Sequence, residues 1–276
     1  MTPSMNSFPT PFMRALAKND YDAGDSDFTV TQIIGRPQRS FLALTNEPRY
    51  SPYANLKALL GTAIHAILEA NIDFSIGERG EERIYKDVLG SKIGCKFDFY
   101  DPSVRTLYDY KTHNNVVDEP KPEHIKQVQM NGALANHNGI VVDYVAIVYI
   151  QLDWSLMQSK SNPSYPQSPF KIFAYTHEAK YADNLLLVLT KEHQDAVAGS
   201  PRPCTMDEQW AKPDKWALKK IGAKKATKIY DIKEDAIAAM KAGHVIERRP
   251  ASKTFCSNFC GFSYCCGQFK KEQEIQ

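Results

Sequence analysis

The hydrophobic positions along the chain change period several times, and each change marks a new element. From Asn55 to Ala70 (NLKALLGTAIHAILEA), Leu56, Leu59, Leu60, Ala63, Ile64 and Ile67 recur at steps of three and four, which predicts a helix with one buried face. Residues 1–27 upstream are polar and rich in Asn, Asp, Ser and Pro, the pattern of an irregular arm, with a short amphipathic run at Phe12–Ala17. Thr29–Leu44 predicts a short helix, a break at Gly35-Arg36-Pro37, and a second helix. SIGERGEERIYKD reads as a loop. Beyond it, Lys92–Tyr100 (KIGCKFDFY) and Thr106–Lys111 (TLYDYK) carry β-favouring residues, with turn chemistry at Asp101-Pro102-Ser103, and predict a hairpin. Glu123–Asn136 reads as a helix introduced by Pro120 and Pro122, and Val141–Leu152 as a fully buried strand. After a Pro/Ser-rich link from Asn162, a strand at Phe170–Thr176 and a helix at Ala179–Ala198 complete an α/β core.

Composition adds limits rather than a function. With 276 residues, 43% hydrophobic and 24% charged, the chain suits one large domain or two small ones, and the pattern suggests segments 1–50, 51–200 and 201–276. A net charge of +2, from 34 basic and 32 acidic residues, announces no global field, so any nucleic-acid surface is a local patch. The basic residues gather in the Lys212–Lys228 run, interleaved with Trp210, Trp216 and Tyr230. That run reads equally well as a phosphate-tracking surface or as a solvated amphipathic helix. No secretory signal opens the chain and no stretch approaches the roughly 18 apolar residues of a membrane span, so a cytoplasmic protein with no membrane partner is expected.

Two constellations carry chemistry. Asp98 falls on the first expected hairpin strand, while Asp109 and Lys111 are two apart on the second and share a face. Hydrolysis of a phosphodiester uses this set: carboxylates to hold Mg²⁺ or Mn²⁺, and a cation beside the attacking water and the developing charge. A D-x-K tripeptide is common and is more often an exposed ion pair. Here, however, both aspartates interrupt apolar strands, where a carboxylate is costly unless paired or metal-bound. His65, taken alone, is more often a packed histidine than a ligand. The second constellation is Cys256, Cys260, Cys265 and Cys266, with Cys204 upstream, clustered as metal ligands rather than as cross-links. Thiolates suit zinc or an iron–sulfur cluster, and the spacing does not choose between them. Adjacent cysteines seldom bind one metal, so Cys265 and Cys266 compete, and Cys95 reads as a small core residue.

Together these residues resemble the RecB-like nucleases of the PD-(D/E)xK superfamily, phage and prophage exonucleases related to the CRISPR-adaptation nucleases. GTAIHAILE (Gly61–Glu69) is similar to that family's helix motif, KFDFY carries its second-motif aspartate, and Asp109-Tyr110-Lys111, followed by Thr112, its (D/E)xK motif. Further likeness to a phage subgroup lies in TVTQIIGRP, Asp153-Trp154, Tyr165-Pro166 and PCTMDEQWAKPDKWAL. The resemblance implies a restriction-endonuclease-like core, a central mixed sheet flanked by helices, with a helical, cysteine-stapled C-terminal segment. It implies His65, Asp98, Asp109 and the Tyr110 carbonyl as ligands of Mg²⁺ or Mn²⁺, and Lys111 as the catalytic lysine. Glu81 or Glu82 is a further ligand or a solvated loop charge. Cys204, Cys256, Cys260 and Cys266 would hold a 4Fe-4S cluster, with zinc as the alternative.

The family's glutamine helix corresponds to KQVQMNGALA. Gln127 would pair with Asn131, or Gln129 with Ala133 where the family has a tyrosine, and Gln129 is the favoured DNA contact with Gln127 as the other register. Cys95 stands where the second motif usually has glycine. The implied activity is exonucleolytic hydrolysis of DNA in phage-type recombination, replication or repair, in a host cytoplasm, beside a helicase or a single-strand-binding or recombination protein. The alternative is a catalytically inactive, metal-stapled DNA-binding protein.

Overall fold

Local sequence chemistry sets the boundaries of most elements in the computed structural model, which describes residues 10–17, 22–50 and 56–274. In chain order these begin with α1 (Thr10–Ala17), β1 (Phe28–Thr29), α2 (Val30–Ile33), α3 (Pro37–Ala43) and α4 (Leu56–Glu69). Next come β2 (Glu82–Val88), β3 (Ser91–Phe97), β4 (Phe99–Asp101), β5 (Thr106–His113), α5 (Pro122–His137), β6 (Tyr144–Gln151), α6 (Leu156–Ser161), β7 (Phe170–Thr176) and α7 (Ala179–Val197). The remainder is β8 (Ala211–Lys212), β9 (Lys215–Lys220), β10 (Lys228–Tyr230), α8 (Lys233–Ala238), β11 (His244–Arg249), β12 (Ser252–Lys253), α9 (Thr254–Asn258) and α10 (Gly267–Glu274). Two compact units result: Met1–Gly35 with Ser51–Gly199, and Arg36–Tyr50 with Ser200–Gln276. The segment read as 1–50 is therefore divided between them at the Gly35-Arg36 break.

The first unit is mixed α/β. Thr29 starts α2 with a capping box: its hydroxyl accepts from the Gln32 amide at 3.2 Å while the Gln32 side chain accepts from the Thr29 amide at 2.7 Å. One sheet runs β1-β3-β2, with β1 parallel to β3; the other runs β4-β5-β6-β7, with β5 and β6 parallel and both outer pairs antiparallel. Helix α5 makes the crossover that the parallel β5–β6 pair needs, and it buries Val128, Met130, Leu134 and Ala135 on the core shared with Ile93, Phe97, Leu107 and Ile147.

Several expectations change. The arm is not wholly irregular: Thr10–Ala17 is helical, because Leu16 finds a buried seat; residues 1–9 and 18–21 of the arm lie outside the described residues. The stretch read as a loop contains β2, whose seven residues pair with β3 across a Leu89-Gly90 turn. Both turn residues have positive φ, 53° and 77°, the geometry of a tight hairpin, but with leucine where Asn or Asp would signal it. Helix α4 forms as expected, yet none of its residues is buried, and Leu56, Leu60 and Ile67 are exposed. It approaches β5 instead along the narrow stripe of Gly61 and His65, one turn apart.

The second unit is not the helical segment expected. Its Lys212–Lys228 run alternates through β9 into a three-stranded sheet, β10-β9-β11, so the amphipathic-helix reading of that run does not hold. A second small sheet joins β8 to β12. Leu42 on α3 packs with Phe262 and Cys266 to form this unit's apolar cluster.

The burial pattern sets a contrast in stability. Ile147, fully buried opposite Asp109, should lose about 2–5 kcal/mol of unfolding free energy on Ile147→Ala. Leu60→Ala on the exposed side of α4 should stay within about 0.5 kcal/mol of wild type, with urea denaturation as the measurement.

Candidate metal-binding active site

The site is built where one strand path leaves one sheet for the other. Backbone pairing of β3 stops at Phe97 and resumes with a new partner at Phe99, so Asp98 stands at the break rather than within the expected hairpin strand. The hairpin itself is β4–β5. Asp98 Oδ2 accepts from the Tyr110 amide at 2.6 Å, a charge-assisted bond that turns its other oxygen, Oδ1, toward His65 Nδ1 at 3.4 Å. The preceding turn crowds in as well. A side chain on Gly80 would meet the Asp98 carbonyl at 2.5 Å, and Glu81 follows with φ at +51°, a strained conformation for a residue with a Cβ.

That strain points Glu81 into the site. Its Oε1 lies 3.7 Å from His65 Nδ1, and its other oxygen pairs with Lys96. Glu82 turns away and is held by Arg79, with Nε at 2.8 Å. Of the two glutamates left open by the sequence, Glu81 is thus the one in the site. His65, Glu81 and Asp98 offer one nitrogen and two oxygens, all within 4.8 Å of one another, a donor set that suits a hard divalent ion with some preference for Mn²⁺ through the imidazole. The opposite ring nitrogen, Nε2, lies 3.2 Å from the Tyr110 carbonyl. A carbonyl only accepts, so Nε2 carries the hydrogen and Nδ1 is the nitrogen left for a metal. The Tyr110 carbonyl, expected as a ligand, thereby orients the ring that would bind one.

Asp109 and Lys111 form the other half. Asp109 is almost fully buried and its Oδ2 lies 2.5 Å from Lys111 Nζ. Burial raises its carboxyl above the usual range; the Lys111 ammonium pulls it down and the Asp98 charge pushes it up. Asp109 therefore stands outside the three-donor group, close enough to feel Asp98 and His65 through space, and clamps the lysine. His65 is pushed the other way: bonds to Asp98 and then Glu81, working against burial, raise it from 6.5 to about 10. Burial opposes the charge of Glu81, but His65 and Lys96 more than offset it and hold its pKa below the ordinary value.

The glutamine helix settles its register by burial. Gln129 is 2% exposed and its amide is used up: Nε2 donates to the Thr176 carbonyl at 3.0 Å and Oε1 accepts from the Glu178 amide at 2.9 Å. It pins the β7–α7 turn rather than facing the cleft. Gln127 lines a cleft of about 980 Å³ with Glu81, Lys96, Arg83 and Asn131. Asn131 is buried, and its side-chain oxygen has no hydrogen-bond partner. Lys96, two residues before Asp98, is the site residue that sequence reasoning missed; its alternation with Asp98 was the available signal.

The expected ligand cysteines meet within the second unit. Cys204, Cys256, Cys260 and Cys266 line one pocket of about 390 Å³ together with Arg36 and Gln209. Cys265 turns away, its Sγ donating to the Phe262 carbonyl at 3.3 Å. Burial, with Glu208, Cys256 and Cys266 nearby, pushes the Cys204 thiol up to about 12. Cys95 is buried in the first unit, as expected of a core residue. Of the phage-subgroup residues, Trp154 donates to the Pro166 carbonyl at 2.8 Å and Tyr165 accepts from the Ser155 amide at 3.0 Å, so these close a loop.

No protein-family model matches the chain, and no curated protein does. Among solved structures the chain is similar to SSO0001, at 19% identity over 72% of this chain and 87% of that one, with a TM-score of 0.46. It is also similar to a phage-related exonuclease from Haemophilus somnus 129PT, at 13% identity over 61% and 92%, with a TM-score of 0.37. A further likeness is to the alkaline exonuclease LHK-Exo from Laribacter hongkongensis, at 15% identity over 61% and 93%, with a TM-score of 0.34. These likenesses are partial, and the chemistry is read from this chain's own side chains. No helix among the described residues is long and apolar enough to cross a membrane.

The His65 proton and a metal compete for Nδ1. Because His65 is raised from 6.5 to about 10, its imidazolium stabilises the metal-free fold fully below about pH 6.5, and that contribution fades as pH rises through about 10. Calorimetric Mn²⁺ titrations at pH 7.5 in buffers of different ionisation enthalpy should show about one proton released per ion, and His65→Ala should abolish the release. Binding without proton release would contradict this assignment.

Proposed function

We propose that this chain is a Mg²⁺- or Mn²⁺-dependent deoxyribonuclease of the PD-(D/E)xK, RecB-like type, acting as an exonuclease. The observation that carries the reading is the convergence of His65, Glu81 and Asp98 beside the buried Asp109–Lys111 pair. These three side chains would hold the ion, which supplies Lewis acidity at the scissile phosphate when bound. Asp109 holds the Lys111 ammonium in place, and Lys111 orients the attacking water and meets the charge that develops on the phosphate oxygens. Lys96, paired with Glu81 at the edge of the donor group, would meet a neighbouring phosphate. Gln127 supplies a neutral polar group along the cleft for the DNA strand.

For the cysteines we propose a 4Fe-4S cluster on Cys204, Cys256, Cys260 and Cys266. The reading rests on the four cysteines lining one pocket, and zinc is the alternative occupant on the same ligands.

Labelled linear DNA incubated with the purified chain and Mn²⁺ should be degraded while covalently closed circular DNA stays intact, and Lys111→Ala should slow degradation by about 10²-fold or more. Wild-type protein that binds DNA and leaves all of it intact would favour a binding protein without catalysis. Anaerobically purified protein should be brown, with broad visible absorption and iron and sulfide on analysis; a colourless protein carrying zinc would overturn the cluster assignment.

A further inference from the structure

The catalytic face of the second sheet continues past Lys111. Strand register places Lys111 opposite Tyr149 and His113 opposite Gln151, while Lys171 on β7 lies opposite Tyr149, so these five side chains share one face. His113, Tyr149, Gln151 and Lys171 then line a groove of about 970 Å³, closed by the 115–118 loop on one side and by Tyr165 to Phe170 on the other. The groove sits at the carboxyl ends of the parallel strands β5 and β6, where open α/β sheets present ligand crevices.

Its chemistry is that of a single-strand track. Lys171 and His113 supply cationic or donor groups and Gln151 an amide, with Tyr165 on the facing wall. Asp118 is the carboxylate on this wall; it faces Lys171 at 3.7 Å and is 90% exposed. Lys171 Nζ also donates to the Asp118 carbonyl at 3.3 Å, so the pair spans the groove from β7 to the loop. A phosphate entering there would take the place of the Asp118 carboxylate. His113 lies two residues beyond Lys111, about 7 Å along the strand. That is the reach of about one nucleotide.

Resting on the nuclease reading, we propose that this groove is a binding subsite for single-stranded polynucleotide, holding the nucleotides next to the scissile phosphate. Lys171 contacts a phosphate, and Asp118 competes with the strand for Lys171.

The test is fluorescence anisotropy of the full chain with an end-labelled single-stranded oligonucleotide in Ca²⁺, over a range of salt concentration. Lys171→Glu should weaken binding about fivefold or more and lower the salt slope by about 0.7, one phosphate contact on a single strand. Asp118→Asn should tighten binding. Both positions are exposed, and circular dichroism melting checks that the variants fold. Folded Lys171→Glu and Asp118→Asn proteins that bind within twofold of wild type, with the wild-type salt slope, overturn the groove assignment and leave the nuclease reading standing. Wild-type protein that binds no DNA removes both.

Discussion

The hydrogen bond from the Tyr110 amide to Asp98 Oδ2 fastens the point where the chain changes sheets. Without a partner there, a carboxylate at a strand break would face its full desolvation cost and the path between β3 and β4 would have no fixed angle. With it, one oxygen of Asp98 is committed to the backbone of β5 and the other is presented to His65. The same residue, Tyr110, offers its carbonyl to His65 Nε2, so one peptide position sets both the carboxylate and the imidazole. Gly80 and Glu81 close against the same backbone, which is why the third donor arrives from a turn with positive φ rather than from a regular strand.

Charge balance follows from this geometry. Each carboxylate of the site has a cationic partner: Asp98 faces His65, Glu81 pairs with Lys96, and Asp109 with Lys111. Half-buried acids survive in the metal-free protein because none is left alone. His65, Glu81 and Asp98 would hold a divalent ion, while Asp109 pairs with Lys111 outside that group.

The legibility of the site in the sequence divides along the same physical lines. Asp109 and Lys111 were readable because period-two alternation on a strand is local, and the long α5, α7 and β6 were readable from sustained patterns and proline punctuation. Asp98 was readable as a residue but not as a break, since KFDFY looks continuous and only tertiary pairing assigns its two halves to different sheets. Strand β2 was hidden because its buried positions, Ile84 and Val88, are interrupted by charges and its turn uses Leu89 at positive φ. The turn-pinning bonds of Gln129 were hidden for a different reason: a buried glutamine that satisfies a turn and an exposed one that meets a ligand look alike until their hydrogen bonds are known. The exposed face of α4 shows the converse error, in which apolar periodicity marks a helix without marking what covers it.

The cysteine pocket depends on helical geometry that spacing alone does not convey. The Cys266 amide bonds to the Phe262 carbonyl at 3.0 Å, and the Cys265 Sγ uses that same carbonyl. Neighbouring residues on such a turn point about 100° apart, so only one of the two thiols can face the pocket, and here Cys266 does. Arg36 enters the same pocket with its guanidinium 3.3 Å from the centroid of the Phe255 ring and its Nε donating to the Glu208 carbonyl at 2.7 Å. Held there, its positive charge lies beside Cys204 and works against the burial that raises that thiol.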